Sequence, residues 1–306
     1  MGGGFSVLSL FRKKRISDLR AGIATAGDSL AAAVVRRRTA GRPLLLQSTT
    51  GTFAESAATL EKLQLERAPV SAVIAAEDYQ LVQIEAPDVL PAELRAAVRW
   101  RLREAIDFPV EEATVDLLEL PPQSRRANAR MLYAVAARTE AVQRLGDSFS
   151  RQAPGFDVID VPEMCLRNLA ALLPQDQKGV ALLMLREQFA QLVLTRKGVL
   201  YLTRRIDLGA RAADDPDPGV LALELQRSLD YYETHFDQAP IGELVLAPDS
   251  VRIRALAAAL RNEVGLNVTT FDVATLLEIP DGVDAPADWL SLTALGAALR
   301  VEGAET

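Results

Sequence analysis

The 306-residue chain is 49% hydrophobic and contains one cysteine, Cys165, and one histidine, His235. This is enough apolar content for a buried core. It excludes an internal disulfide and leaves too few ligands for a four-coordinate Cys/His zinc site. The net charge of −7 is uneven: residues 1–42 hold nine Lys/Arg against two Asp, or +7, so the rest carries −14, an acidic body that argues against nucleic-acid binding.

The length predicts two domains or one bilobed unit. No apolar run approaches the roughly 18–20 residues needed to cross a bilayer. Met1–Arg15 places its basic cluster, Arg12, Lys13, Lys14 and Arg15, after the apolar stretch Phe5–Phe11. A secretory signal has the reverse order, so a cytoplasmic protein is expected. The same stretch has the composition for a peripheral contact with an anionic membrane; the alternative is a solvated tail.

Ala21–Ala26 and Leu30–Val35 predict two strands around a Gly27-Asp28-Ser29 turn, with Leu44–Gln47 as a third strand. Leu60, Leu63 and Leu65 among charges predict a helix over Phe53–Arg67. Val70–Ala75 and Tyr79–Ile84 follow as strands. Pro91 opens a helix expected to run to about Asp107 and to stop at Pro109. Its apolar face is Leu94, Val98, Leu102, Ala105 and Ile106. Arg95, Arg99 and Arg103 form a stripe on another face beside Trp100. Such a stripe is ordinarily a solvated helix face. Its functional alternative is a contact with an acidic partner, because Arg and Trp favour interfaces.

Thr114–Leu120 and Met131–Ala137 predict strands flanking a polar loop, Pro121–Asn128. A helix over Glu140–Gln152, a strand over Phe156–Val161 and a helix over Pro162–Leu173 come next. Val180–Leu185, Ala190–Thr195 and Val199–Ile206 are three strands in quick succession. After the loop Arg211–Pro218 come a helix over Leu221–His235, a strand over Gly242–Ala247, a helix over Val251–Val264 and a strand over Val268–Phe271. The loop Pro280–Ala287 leads to a last helix, Trp289–Arg300. Three strands followed by helix and strand thus occur twice.

Five segments, in order along the chain, resemble pilus biogenesis proteins of the PilM and MshI type, the latter being the closer likeness. They are LRAAVRWRLREAIDFPVEEATVD (Leu94–Asp116), VIDVPEMCLRNLA (Val158–Ala170), YLTRRIDL (Tyr201–Leu208), ELQRSLDYYE (Glu224–Glu233) and LTALGAALR (Leu292–Arg300). The opening LSLFRKKR is also similar. The resemblance implies an α/β fold of the actin-like, ribonuclease H-like kind. The implied division is a basic tail over 1–20, a first lobe over 21–178 with a subdomain inserted at about 79–155, a second lobe over 179–283, and a C-terminal helix within 284–306 returning to the first lobe. It further implies a place at the inner face of the inner membrane, at the base of a type IV pilus such as an MSHA-like one, or of a type II secretion-like machine. PilM-type proteins bind ATP and the cytoplasmic tail of a PilN-type inner-membrane partner. The pilus assembly ATPase is a second candidate partner. A weaker resemblance is to the cytoplasmic part of GspL-like secretion proteins, which carry a transmembrane helix after this fold; none occurs within these 306 residues.

The resemblance also says what an ATP site would contain. The first hairpin would carry a magnesium-site Asp and a Lys, the start of the second lobe a DxGxxxT-like turn, and a later strand a Gly-Gly pair. Here Ala24 and Ala31 stand at the first two positions, Ala181–Leu192 has neither Asp nor Gly, and Pro248-Asp249-Ser250 stands at the last. Asp28 would serve only if the alignment slipped into the turn. Without these groups little offsets triphosphate charge or fixes magnesium. The expectation is therefore a non-catalytic scaffold with no cofactor, neither ATP nor magnesium, and no metal; the alternative is an ATP-binding, PilM-type ATPase that regulates assembly. Arg95, Arg99, Trp100 and Arg103 are the candidate partner-binding residues.

Other clusters carry less. Glu111 and Glu112 are adjacent and suit a turn better than a paired-carboxylate site. Asp214, Asp215 and Asp217 lack the Gly and distal Glu of a calcium loop. Cys165, on the apolar face of its helix, suits a buried position better than a nucleophile.

Overall fold

A computed structural model of the chain describes residues 18–52, 68–123, 130–150, 156–208 and 216–301. The expected helix Phe53–Arg67 and the basic segment Met1–Arg15 lie outside these.

β1 (Leu19–Ala26) and β2 (Ser29–Arg36) form an antiparallel hairpin, with Gly27 at φ 53° in its two-residue turn. A positive φ there suits the twist of a tight hairpin and favours glycine. β3 (Leu44–Thr52) pairs antiparallel with β2, β4 (Val70–Val73) parallel with β1, and β8 (Val158–Asp160) parallel with β4. The sheet order is β3-β2-β1-β4-β8.

The second sheet repeats this wiring. β9 (Val180–Leu185), β10 (Phe189–Arg196) and β11 (Val199–Asp207) form an antiparallel meander. β12 (Glu243–Ala247) and β13 (Asn267–Thr270) add in parallel, giving β11-β10-β9-β12-β13. β9, VALLML, is buried throughout. A strand covered on both faces reads as a continuous apolar run and not as an alternating one.

Between β4 and β8 lies a third sheet of β5 (Tyr79–Glu85), β6 (Ala113–Glu119) and β7 (Met131–Arg138), antiparallel in the order β5-β7-β6. Helix α1 (Pro91–Leu102) covers one of its faces through Val98 and Leu102, which pack with Phe108, Val110 and Leu132. Helix α2 (Thr139–Ser150) follows β7.

α1 is shorter than the expected span to Asp107, and Ala105, expected on its apolar face, lies beyond its end and is exposed. Beyond Leu102 the N–H groups of Ala105 and Ile106 both turn back to the Leu102 carbonyl. The chain there folds under to bury Phe108 before Pro109, which disfavours helix at the residue before it. Helix α3 (Pro162–Ala170) likewise ends before Leu173, and β8 ends at Asp160 because Val161 is the extended N-cap of α3. β3 instead runs five residues past Gln47, carried by its ladder to β2.

Helices α4 (Pro218–His235) and α5 (Val251–Glu263) cover the outer face of the second sheet. A single turn, α6 (Val273–Leu276), precedes helix α7 (Trp289–Ala298). Every residue of α7 after Trp289 is buried. A helix apolar all round belongs in a core. α7 packs on β1 and β2 of the first sheet and on α3, and Leu292 and Leu295 share a cluster with Leu182 and Val193 of the second sheet. The Arg300 guanidinium reaches the buried Asp160 carboxylate at 2.8 Å, fastening the end of this helix to β8.

None of the described helices is long and apolar enough to cross a membrane.

Candidate functional site

The turn between β9 and β10 and the start of α7 meet where the two lobes face each other. Arg186, in that turn, lies 3.7 Å over the Trp289 ring and 4.6 Å over Phe189. Arg205 of β11 lies 3.8 Å over Phe189. The Trp289 indole N–H donates to Glu187 Oε1 at 2.6 Å. Burial is the main influence on the Arg186 guanidinium and lowers its pKa. Its stacking on two rings supplies the cation with π-face contacts in place of water.

Beside this stack is a cavity of about 380 Å³. The inserted sheet contributes Tyr79, Leu81 and Tyr133, α3 contributes Glu163, and the second lobe contributes Gln191 and Arg205. β5 and β11 are terminal strands of their sheets, and both border the cavity. Tyr79 donates its hydroxyl proton to Glu163 Oε2 at 2.6 Å, and both side chains are buried. Burial pushes the Glu163 carboxyl and the Tyr79 phenol upward from their ordinary pKa values, the latter strongly. Two further tyrosines join the inserted sheet to the second lobe. The Tyr133 hydroxyl accepts from the Thr203 N–H at 3.1 Å, and the Gln83 side chain donates to the Tyr231 hydroxyl at 2.9 Å. Burial raises the Tyr133 phenol to about 12.

Glu163 makes stability depend on pH. Its carboxyl binds a proton more tightly when folded, so its contribution is fully present below the unfolded carboxylate range and is lost as pH rises through its raised folded value. Glu163→Gln keeps an acceptor for Tyr79 and removes the titration. Relative to the parent, this variant should become progressively more stable as pH rises from about 4.3. Urea unfolding at several pH values measures this, and a difference independent of pH would refute it.

At the positions compared above with an ATP site, the chain's own groups make the following contacts. Ala24 and Ala31 are direct cross-strand partners, buried with Ala294 and Ala297 of α7. Asp28 is exposed in the hairpin turn. Asp249 is held by Arg254 through bonds of 2.8 and 2.6 Å, which keep its carboxyl low, and Ser250 Oγ accepts the Ile253 N–H at 3.2 Å as the cap of α5.

The α1 stripe is spent within the inserted subdomain. Arg95 pairs with Asp116 at 2.8 Å, Arg99 donates to the Val110 carbonyl at 2.7 Å, and Arg103 pairs with Glu111 at 2.9 Å. Arg103 also lies 4.8 Å over Trp100, which is 72% exposed. These guanidiniums brace α1 against the Pro109–Asp116 segment, and none of the four residues lines the cavity. Glu111 and Glu112 sit in the single 3₁₀ turn Val110–Glu112. Asp217 caps α4 by accepting the Gly219 N–H at 2.8 Å, while Asp214 and Asp215 lie outside the described residues. Cys165 is buried, and burial raises its thiol well above the ordinary range.

The Arg186–Phe189–Arg205–Trp289 stack and the Tyr79–Glu163 pair went unrecognised in the sequence. Their members are up to 103 positions apart, and no spacing links them. The one local signal is Arg186-Glu187 in the turn where a DxGxxxT-like pattern would have Asp and Gly.

No protein-family model matches the chain. No curated protein matches it either. Solved structures do. The chain is similar to the PilM-PilN type IV pilus biogenesis complex, with a TM-score of 0.66 and 20% identity over 92% of this chain and 97% of that one. It is similar to the cytoplasmic domain of EpsL, an inner membrane component of the type II secretion system of Vibrio cholerae, with a TM-score of 0.51 and 12% identity over 91% and 94% of the two chains. A Bacteroides thetaiotaomicron protein with an actin-like ATPase fold aligns with a TM-score of 0.48 and 12% identity over 92% and 96%. The chain therefore has the two-lobed α/β fold of the PilM-PilN and EpsL structures.

Proposed function

We propose that this protein is a non-catalytic cytoplasmic scaffold at the inner face of the inner membrane, in a type IV pilus of the MSHA-like kind or a type II secretion-like assembly platform. It recognises the cytoplasmic tail of a PilN-type inner-membrane protein. The observation that carries this reading is the division of the interlobe region. The turns that would hold a nucleotide are engaged by α7, Arg254 and the Arg186 stack, while a cavity with two terminal strands remains open beside them. An extended peptide can add to a free strand edge and gain main-chain hydrogen bonds, with its side chains in the adjoining pockets. The likeness to the PilM-PilN complex supports a tail of that type as the occupant. The ATPase reading retains one observation in its favour, the cations Arg186 and Arg205 at the cleft.

The test is thermal unfolding with the cytoplasmic tail peptide of the PilN-type protein from the same genome. A saturating peptide should raise the midpoint by a few degrees. Ala105 is exposed at the cavity mouth, so Ala105→Trp should weaken the tail about tenfold or more at unchanged midpoint. Unaltered binding by that variant would move the site elsewhere, and no binding by the parent would remove the scaffold reading.

A further inference from the structure

The second lobe carries another cavity, of about 520 Å³, at the opposite end of β10 from the Arg186 turn, about 25 Å away along the strand. It is lined by Val199, Tyr201 and Pro240 and by the cations Lys178, Arg196 and Lys197. No carboxylate lines it. The chain has five lysines, and the only two among the described residues both line this cavity.

Everywhere else described, the ion pairs are made by arginine, and none involves Lys178, Lys197 or Arg196. The adjoining acid, Asp176, is buried and already committed. It accepts the Thr195 hydroxyl at 2.7 Å and the Gly198 N–H at 2.6 Å, which fixes the Lys197-Gly198 turn. Arg196 is held in place too. One of its terminal nitrogens donates to the Ala239 carbonyl, and its guanidinium fills the space above Gly179, where a Cβ would come within 3.1 Å of it. Its Nε is buried, and the guanidinium lies beside the Tyr232 hydroxyl.

We infer that this cavity is a binding site for a phosphate group. Three cations around one concavity, none of them in an ion pair, suit a multivalent anion better than a single carboxylate, and lysine binds phosphate as a point charge. The exposed Val199 and the Tyr201 ring would offer contact to the apolar part of a lipid, where that is the source. That chemistry has two sources, an anionic lipid headgroup and a free phosphate.

The intact chain is titrated calorimetrically with inorganic phosphate at constant ionic strength. It is also co-sedimented with vesicles of phosphatidylglycerol in phosphatidylcholine, against phosphatidylcholine alone. At least one arm should show saturable binding, weakened about tenfold or more in K178Q/K197Q at unchanged thermal midpoint. Binding of phosphate alone assigns a free phosphate; binding of phosphatidylglycerol vesicles assigns the lipid headgroup. Absence of binding in both arms overturns the inference. So does equal binding by the double variant, vesicle binding lost only in the tail variant K13Q/K14Q, or a preference for a polyglutamate peptide over phosphate.

Discussion

Gly22→Ala is expected to cost about 3 kcal/mol or more and to lower the thermal midpoint on the order of 10 °C, or to prevent folding. A Cβ at Gly22 would lie 2.0 Å from the Ala294 carbonyl oxygen and 2.4 Å from the Ala298 nitrogen. Both are backbone atoms of α7, so no rotamer change relieves the clash. The whole helix must move off β1, and its other side cannot give. Gly296 rests there on Cys165, whose carbonyl oxygen would be 2.4 Å from an added Cβ. Overpacking usually costs 1–3 kcal/mol where side chains adjust, so a clash with backbone belongs at or above that range. Gly242→Ala is the control, because no atom lies within 4 Å of its built Cβ. It should stay within about 0.5 kcal/mol of the parent. If the two variants unfold at the same urea concentration, α7 does not approach β1 as described.

Millimolar Mg-ATP is expected to leave the thermal midpoint where it is. A ligand that binds only the folded state stabilises it by RT ln(1 + [L]/Kd), about 2.7 kcal/mol at 100 times Kd. For a chain of this size that is a shift of a few degrees, easily measured. On the proposed reading, other residues stand where the groups that would produce it are expected. Ala24 and Ala31 face each other beneath α7, and an Asp or Lys there would be a buried charge. The β9–β10 turn presents Arg186, already stacked on Trp289, and Asp249 would oppose phosphate if freed from Arg254. An ATP-dependent shift confirmed by calorimetry would favour the ATPase alternative and return Asp28 to consideration as the magnesium-site acid. The tail peptide provides the contrast: a shift with peptide and none with ATP separates a scaffold from an enzyme.

Much of the secondary structure was legible in local pattern. The β9 run VALLML, the Gly27-Asp28 turn and Pro at the first position of α1 and α3 each act through their own backbone or immediate neighbours. The alanines at 24 and 31 were equally plain, because an absent charge needs no structure to be seen. Element ends were less legible. α1 stops at Leu102 because Phe108 is drawn into the core under it, a gain made by burial elsewhere and invisible to helical periodicity. The role of the Arg95–Arg99–Arg103 stripe was also hidden. Spacing put the three arginines on one side of a helix, but only the fold turned that side toward Asp116, the Val110 carbonyl and Glu111. The cleft stack and the lysine-lined cavity depend on residues brought together across tens of positions. Hydrophobic pattern determines which face of an element is buried; it does not determine which distant element buries it. That choice is made by sheet order and by the close approach that Gly22 and Gly296 allow to α7, and it decided where Trp289, Arg186 and Glu163 meet.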